Sequence, residues 1–249
     1  MAWKEYVGFA YAKPDHLVSF QWADYRLFYS VYRCLAFLYF LPWFTFELNR
    51  FGAIFFIYVT NWSFTLLLTE LLYWFMLSAY YGDQLAQATE LPLALKVHWA
   101  LYNISAVAAI MVAIGYWSLI HDPAIFEVTG SNIHVHGVNA LFVVIDLFIS
   151  AIPVKLGHYW LMLLYATVYF GFSVVYYVLG GRDERGNPYI YPILDYGKDP
   201  YMAAVYALGM GVVVLPLLQL LLYGLYKLRL YLYDRVMARN NNVTSVNEL

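Results

Sequence analysis

Charge and cysteine are both scarce in this sequence. Only 12% of its 249 residues are charged, and Cys34 is the single cysteine. One cysteine excludes a disulfide framework within the chain. Soluble domains carry about 25% charged residues, so the composition excludes an ordinary soluble domain. The net charge of −2 offers no basic surface, and we therefore expect no nucleic-acid partner.

What the sequence has in abundance is apolar length. Hydrophobic residues make up 63% of the chain, and the mean hydropathy is +0.60. A helix needs about 20 apolar residues to cross a hydrocarbon core of about 30 Å. Six runs meet this requirement: 26–46, 53–80, 93–119, 132–152, 157–179 and 202–226. The runs are continuous rather than alternating, which favours helices over a barrel.

The predicted fold is therefore an all-α membrane protein, a six-transmembrane helical bundle that forms a single domain over residues 1–240. Residues 241–249 are predicted to be a flexible cytoplasmic tail. Lysine and arginine gather on the cytoplasmic side of membrane proteins. With the N-terminus inside, nine of them are cytoplasmic and four are outside, Arg33 being within a span. Both termini are therefore predicted to be cytoplasmic.

Three charged residues lie well inside the predicted spans, away from the span ends. Arg33, Glu70 and Asp146 all lie in the half expected to be nearer the cytoplasm. Charges at such depths are costly and usually pair with one another, so we expect an intramembrane polar cluster of these three. Such a cluster either fixes the register of the helices or marks a functional site. His98 and His158 are expected to be ordinary residues near the inner interface.

A second polar set is predicted at the outer side. Thr60 begins the second span, and His136 and Asn139 begin the fourth. A threonine hydroxyl beside an imidazole is a candidate nucleophile and base, and an asparagine amide can stabilise an oxyanion. The alternative is that these residues only bond to their own helices. His134 and His136 point to different helix faces, so no metal site is expected, and no cofactor.

The loop over residues 180–200 is expected to be structured, because its glycines permit tight turns and its prolines fix φ. Tyr189, Tyr191, Pro192 and Asp195 are its candidate functional residues. The loop is either an interfacial cap that closes the bundle or a lid over a cavity that faces the outer leaflet.

Several segments resemble one known family. They are 136–139 (HGVN), 142–150 (FVVIDLFIS), 176–181 (YYVLGG) and 186–195 (GNPYIYPILD), with the short turn 153–155 (PVK). Together they resemble the rolling stone family of membrane proteins. The resemblance implies a multipass protein that is linked to myoblast fusion, and the plasma membrane is its expected location. It implies a role in cell fusion or adhesion with an unknown protein partner.

A wider resemblance is to the androgen-induced membrane hydrolases, which cleave fatty acid esters of hydroxy fatty acids. It implies that Thr60 is the nucleophile and that His136 matches the first histidine of their motif. Asn139 stands where that family has its catalytic histidine, and asparagine cannot act as a general base at neutral pH. The chain would then have lost hydrolysis or moved the base to His136, with a lipid substrate from the outer leaflet.

A third hypothesis is a transporter of lipids or small molecules that uses the polar cluster. The spans lack the paired broken helices that inverted-repeat transporters have. Membrane lipids are the expected surroundings in every case.

Overall fold

In a computed structural model, the described residues are 2–23, 25–86, 89–121 and 127–247, and within these ranges the chain is mostly helical, without strands. The helices are α1 (Ala2–Val7), α2 (Arg26–Phe51), α3 (Val59–Ala86), α4 (Leu93–Gly115), α5 (Gly130–Ile149), α6 (Tyr159–Val178) and α7 (Pro200–Gly209, continued by Leu215–Asn247). Three π-turns extend or interrupt them: Tyr116–Ile120 after α4, His134–Val138 in α5 and Met210–Val214 in α7.

Six of these helical segments are long and apolar enough to cross a membrane. They are Arg26–Ile57, Val59–Ala79, Leu93–Ile120, Gly130–Ile149, Leu156–Val178 and Pro200–Arg239. The prediction of an all-α, six-transmembrane protein is confirmed. The protein is therefore an integral, multipass membrane protein.

Several of the predicted span boundaries differ from the structure, and three of the differences have a local cause. The second helix begins at Val59 rather than 53, because Gly52 has φ 56° and a 3₁₀ turn follows it. The fourth ends at Ile149 rather than 152, because Ser150 is extended. The sixth continues past 226 to Asn247, because this stretch contains neither proline nor glycine, the residues that most disfavour a helix.

Helix α4 occupies the centre of the bundle. It contacts α3, α5, α6 and α7, and its residues Ala106 to Ile110 are all buried. Three of these five residues are alanines. Small side chains allow the backbones of membrane helices to approach closely, which explains how one helix packs against four others.

Residues 5–23 fold back across one end of the bundle, although their sequence is not apolar enough for a span. We call this segment the strap. It meets the extended residues after α5, where Gln21 N donates to Ile149 O at 2.8 Å and Ala151 N donates to Ser19 O at 2.9 Å. Leu17 and Val18 are buried. We call this the strap end of the bundle.

The far part of α7 also reaches the strap end. Trp22 in the strap packs edge-on against Tyr233, with 5.7 Å between the ring centroids. Both ends of the chain therefore lie on one side, as an even number of spans requires. That this side is the cytoplasm stays a prediction. The opposite end carries the 180–200 loop, and we call it the loop end.

Candidate functional site

Arg33 lies at the centre of a buried group of charges. It projects from α2, is fully buried, and lies 3.4 Å from carboxylate oxygens of both Glu70 on α3 and Asp146 on α5. A lone charge at the centre of a span costs about 2.5–3.5 kcal/mol on insertion scales. The two carboxylates offset that cost, and the three side chains fix the relative positions of α2, α3 and α5.

Each carboxylate has a second polar partner. His98 Nε2 on α4 lies 2.8 Å from Glu70 Oε1, and the Tyr32 hydroxyl donates to Asp146 Oδ1 at 3.0 Å. We call Arg33, Glu70, His98 and Asp146 the ionic cluster. The prediction that His98 is an ordinary interfacial histidine is wrong, because the residue is fully buried and bonded to a carboxylate.

An aromatic layer encloses the guanidinium of Arg33. Its Cζ lies 5.5 Å from the ring centroid of Tyr29, 5.8 Å from that of Trp74 and 5.9 Å from that of Tyr102. Cations within about 6 Å of an aromatic face are attracted to it, more strongly when desolvated. We call these three residues and Tyr32 the aromatic shell. It replaces water around the cluster with rings that still favour a positive charge.

Arg229 supplies a second buried cation near the cluster. Its guanidinium bonds to backbone carbonyls at the end of α5, donating to Leu147 O at 2.9 Å and also to Ser150 O. Carbonyls at a helix C-terminus carry partial negative charge that favours a cation. With Arg33, it balances the charges of Glu70 and Asp146, so these four charges sum to zero while His98 is neutral.

At the loop end, Thr60 lies beside Tyr191 of the 180–200 loop. The Tyr191 hydroxyl is buried, and the Thr60 side chain, the Val59 backbone and Tyr169 surround it. Burial raises the pKa of Tyr191 to about 12, and Thr60 acts in the opposite direction. The Tyr191 ring also packs edge-on against Tyr58, just before α3, with 5.9 Å between the ring centroids, which places the loop against the start of α3.

His136 and Asn139 face α4 and their own helix. The His136 ring stacks on Tyr116 with 3.6 Å between centroids and 3° between planes. Asn139 donates from Nδ2 to Val135 O at 3.0 Å. His136 Nδ1 and Asn139 Oδ1 are both buried without a hydrogen-bond partner in the part of the chain that the structure describes. Asn139 Oδ1 can accept a hydrogen bond here, and His136 Nδ1 can accept or donate one according to its tautomer.

The structure places Thr60 at the same end as His136 and Asn139 but does not bond it to either. Within residues 2–23, 25–86, 89–121 and 127–247, no hydrogen bond joins Thr60 to those two side chains. Across the same residues, no three His, Cys, Asp or Glu side chains gather as metal ligands. A catalytic role for Thr60, His136 and Asn139 stays a prediction.

The other candidate residues of the loop serve its internal structure. Pro192 begins a 3₁₀ turn, Pro192–Leu194. Asp195 Oδ1 accepts the backbone N–H of Lys198 at 3.0 Å. Tyr189 lines a narrow crevice between the loop and α6, whose empty space of about 200 Å³ includes open solvent and leaves no enclosed room for a water molecule. That volume is small for a lipid chain, so the lid hypothesis gains no lipid-sized space at this position.

Sequence reasoning missed the strap and its donors. His158, also predicted to be an ordinary interfacial residue, is fully buried, and its Nε2 lies 3.2 Å from Gly8 O. Lys155 donates to three strap carbonyls, those of Glu5, Gly8 and Ala10. The only indication of this contact in the sequence was the group of three side-chain donors, Lys155, His158 and Trp160, after α5. The strap's acceptors are backbone carbonyls, which every residue has, so they leave no pattern in a sequence.

Comparison with known proteins identifies the family of this chain. A family profile described as Protein rolling stone matches residues 3–246. The chain is 30% identical to Protein rolling stone of Drosophila melanogaster over 244 residues, covering 89% of this chain and 86% of that protein. No solved structure matches. The similarity includes the strap, the loop and all six spans, and the chain therefore belongs to the rolling stone family.

Proposed function

We propose that this protein acts at the plasma membrane in the fusion or adhesion of cells, the role that its resemblance to rolling stone implies. The observation that supports this proposal is the extent of the family match, which runs from residue 3 to residue 246. A shared fold alone does not imply a shared function. Here the match includes the connecting segments, which are where membrane proteins of one fold usually differ in function.

The 180–200 loop is the part that we expect to meet a neighbouring cell. In the predicted orientation it faces outward. Its structure is fixed from within, because Asp183 Oδ1 accepts the backbone N–H of Arg185 at 2.9 Å and of Asn187 at 2.7 Å. A surface that is ordered before binding loses less conformational entropy when a partner docks.

A cell-mixing assay tests the proposal. Two populations of cells that express the protein, each with a different cytosolic dye, are mixed and scored for shared contents and for attachment. We expect both counts to rise with surface density of the protein. Asp183→Ala, which removes the bonds that Asp183 makes to Arg185 and Asn187, should lower both counts at equal surface density. Glu184→Ala removes the same charge and is the matched control. Counts that equal those of cells without the protein would contradict the proposal.

A threonine hydrolase is the second candidate, and one observation favours it. His136 Nδ1 is buried at the loop end and has no hydrogen-bond partner among the residues that the structure describes, as a general base would be before substrate binds. In the proposed reaction, Thr60 Oγ1 attacks an ester carbonyl carbon and gives its proton to His136. The alcohol leaves with that proton, and water then releases the acid from the acyl-threonine. Asn139 or Asn61 would stabilise the oxyanion.

Labelling by a fluorophosphonate probe distinguishes this candidate from the first. We expect the unchanged protein to be labelled and Thr60→Ala to lose the label. Thr65→Ala is the matched control, because Thr65 lies on the same helix and only bonds to Asn61 O at 2.7 Å. Equal labelling of all three proteins would remove Thr60 as a nucleophile.

A further inference from the structure

The first half of the strap is fastened through its backbone carbonyls. Lys155 Nζ lies 2.7 Å from Glu5 O, 3.0 Å from Gly8 O and 2.7 Å from Ala10 O. An ammonium group has three donors and no acceptor, so the strap uses its whole donor capacity. Trp160 Nε1 adds a bond to Val7 O at 3.0 Å. The turn after α5 and the start of α6 thus hold four strap carbonyls, all within residues 5–10.

The second half of the strap lies on the aromatic shell. Leu17 O accepts the indole N–H of Trp74 at 3.1 Å. Phe20 packs edge-on against Tyr29, with 4.8 Å between centroids, and at 6.2 Å from Tyr32. Three of the four residues of the aromatic shell therefore contact the strap directly.

We propose that the strap is a releasable cover over the ionic cluster and that Lys155 is its latch. When the latch is made, the strap and the aromatic shell separate the cluster from water at the strap end. When it opens, water reaches Ser150 and the cluster behind it. Lys155 donates three of the five hydrogen bonds that Lys155, His158 and Trp160 make to strap carbonyls. Its loss therefore loosens the first half of the strap, which is continuous with the half over Ser150, without removing a fully buried charge from the bundle.

Gly157 offers an independent way to open the latch. A β-carbon at Gly157 would lie 2.3 Å from Tyr6 O and 2.7 Å from the carbonyl carbon of Tyr6. Both are backbone atoms, and real β-carbons essentially never come so close. Gly157→Ala must therefore move the strap away while every hydrogen-bond donor of the turn remains. Gly171→Ala is its control, because nothing lies within 4 Å of a β-carbon there.

The test uses thiol accessibility beneath the strap. Ser150 is fully buried and its backbone pairs with Phe20 of the strap. A Ser150→Cys reporter is placed in a Cys34→Ser background, and the protein is reconstituted in lipid nanodiscs, which leave both faces open to solution. The rate of modification by a membrane-impermeant methanethiosulfonate is followed by intact mass. A Ser63→Cys reporter, buried at the loop end, records any general loosening.

We expect Lys155→Met and Gly157→Ala to raise the modification rate at position 150 about tenfold or more, since one charge-assisted hydrogen bond changes an opening equilibrium by about that factor. Lys227→Met removes an exposed cation from the same end, and it should leave the rate unchanged, as should Gly171→Ala. Unchanged rates in both strap variants would overturn the proposal. So would an equal rise at the Ser63→Cys reporter. If Lys155→Met does not fold, Gly157→Ala carries the test alone.

Discussion

His98 and Glu70 are joined by a contact of 2.8 Å between Nε2 and Oε1, and both side chains are almost completely buried. This contact brings the central helix α4 into the network that Arg33 makes with α2, α3 and α5. Four of the six spans are therefore connected through the ionic cluster. The stability of the bundle should depend on the balance of this cluster more than on any single contact within it.

Removal of Arg33 should be severely destabilising. Arg33→Met leaves two buried carboxylates without their shared cation, and breaking a buried ion pair in this way costs about 3–5 kcal/mol. Arg33→Met combined with Glu70→Gln should be more stable than Arg33→Met alone, because it removes one of the uncompensated charges. The purified variants are heated, and size-exclusion chromatography measures the fraction of each that remains folded at each temperature. The unfolding temperatures then rank the variants by stability.

The matched control for Arg33 is Arg235→Met, an exposed cation that only stacks over Tyr231, at 5.2 Å. Surface changes of this kind usually lie within about 0.5 kcal/mol of the parent. If Arg33→Met were as stable as Arg235→Met, the cluster would have no role in holding the spans together.

Two substitutions separate the hydrogen bond that His98 makes to Glu70 from the packing of its side chain. His98→Gln keeps a donor that can reach Glu70, whereas His98→Leu keeps bulk and removes the donor. An unsatisfied buried acceptor costs about 1–3 kcal/mol, so the leucine variant should unfold at the lower temperature. Equal unfolding temperatures would show that His98 acts through packing alone.

Asn103 and Gln219 exchange hydrogen bonds between α4 and α7, at 3.2 and 3.0 Å, and Gln219 also donates to Lys155 O at 2.8 Å. Side-chain hydrogen bonds between membrane helices average about 0.6 kcal/mol in double-mutant cycles. Asn103→Leu and Gln219→Leu should each destabilise, and the double variant should lose less than their sum. Strict additivity of the unfolding free energies would contradict a direct interaction.

Tyr191 should contribute to alkaline unfolding. Burial raises its pKa from 10.0 to about 12, so the folded chain holds the phenolic proton more tightly than the unfolded chain does. The resulting stability is fully present below the unfolded pKa and is lost as the pH rises towards about 12. Tyr191→Phe should flatten the pH dependence of the unfolding temperature in this window. A slope unchanged by Tyr191→Phe would rule out its contribution.

The spans and the ionic cluster were largely predictable from the sequence. Hydrophobic length fixes six crossings, and Arg33, Glu70 and Asp146 fall at similar depths in three of them. The burial of His98 did not follow from its position near the start of the third span, because its partners Glu70, Trp74 and Tyr102 come together only in the folded bundle.

The strap and the loop end were not predictable in the same way. The strap is held by carbonyls of Glu5, Gly8 and Ala10, and periodicity in side chains carries no information about such acceptors. At the loop end, the π-turn His134–Val138 changes the helical spacing, so the direction of His136 does not follow from a regular repeat of 3.6 residues. Tyr191, the residue that lies beside Thr60, belongs to a loop. The path of a loop depends on its turns rather than on a hydrophobic pattern.

Two of the three π-turns meet at the loop end, where Tyr116 of one stacks on His136 of the other. A π-turn accommodates an extra residue and weakens the regular hydrogen-bond ladder of its helix. Ion pairs therefore hold the helices together in the half of the bundle nearer the strap end, whereas the helices at the loop end contain backbone turns with weaker hydrogen bonding. We expect a partner that binds at the loop end to distort these two turns first. The ion pairs of Arg33 would keep the rest of α2, α3 and α5 in register.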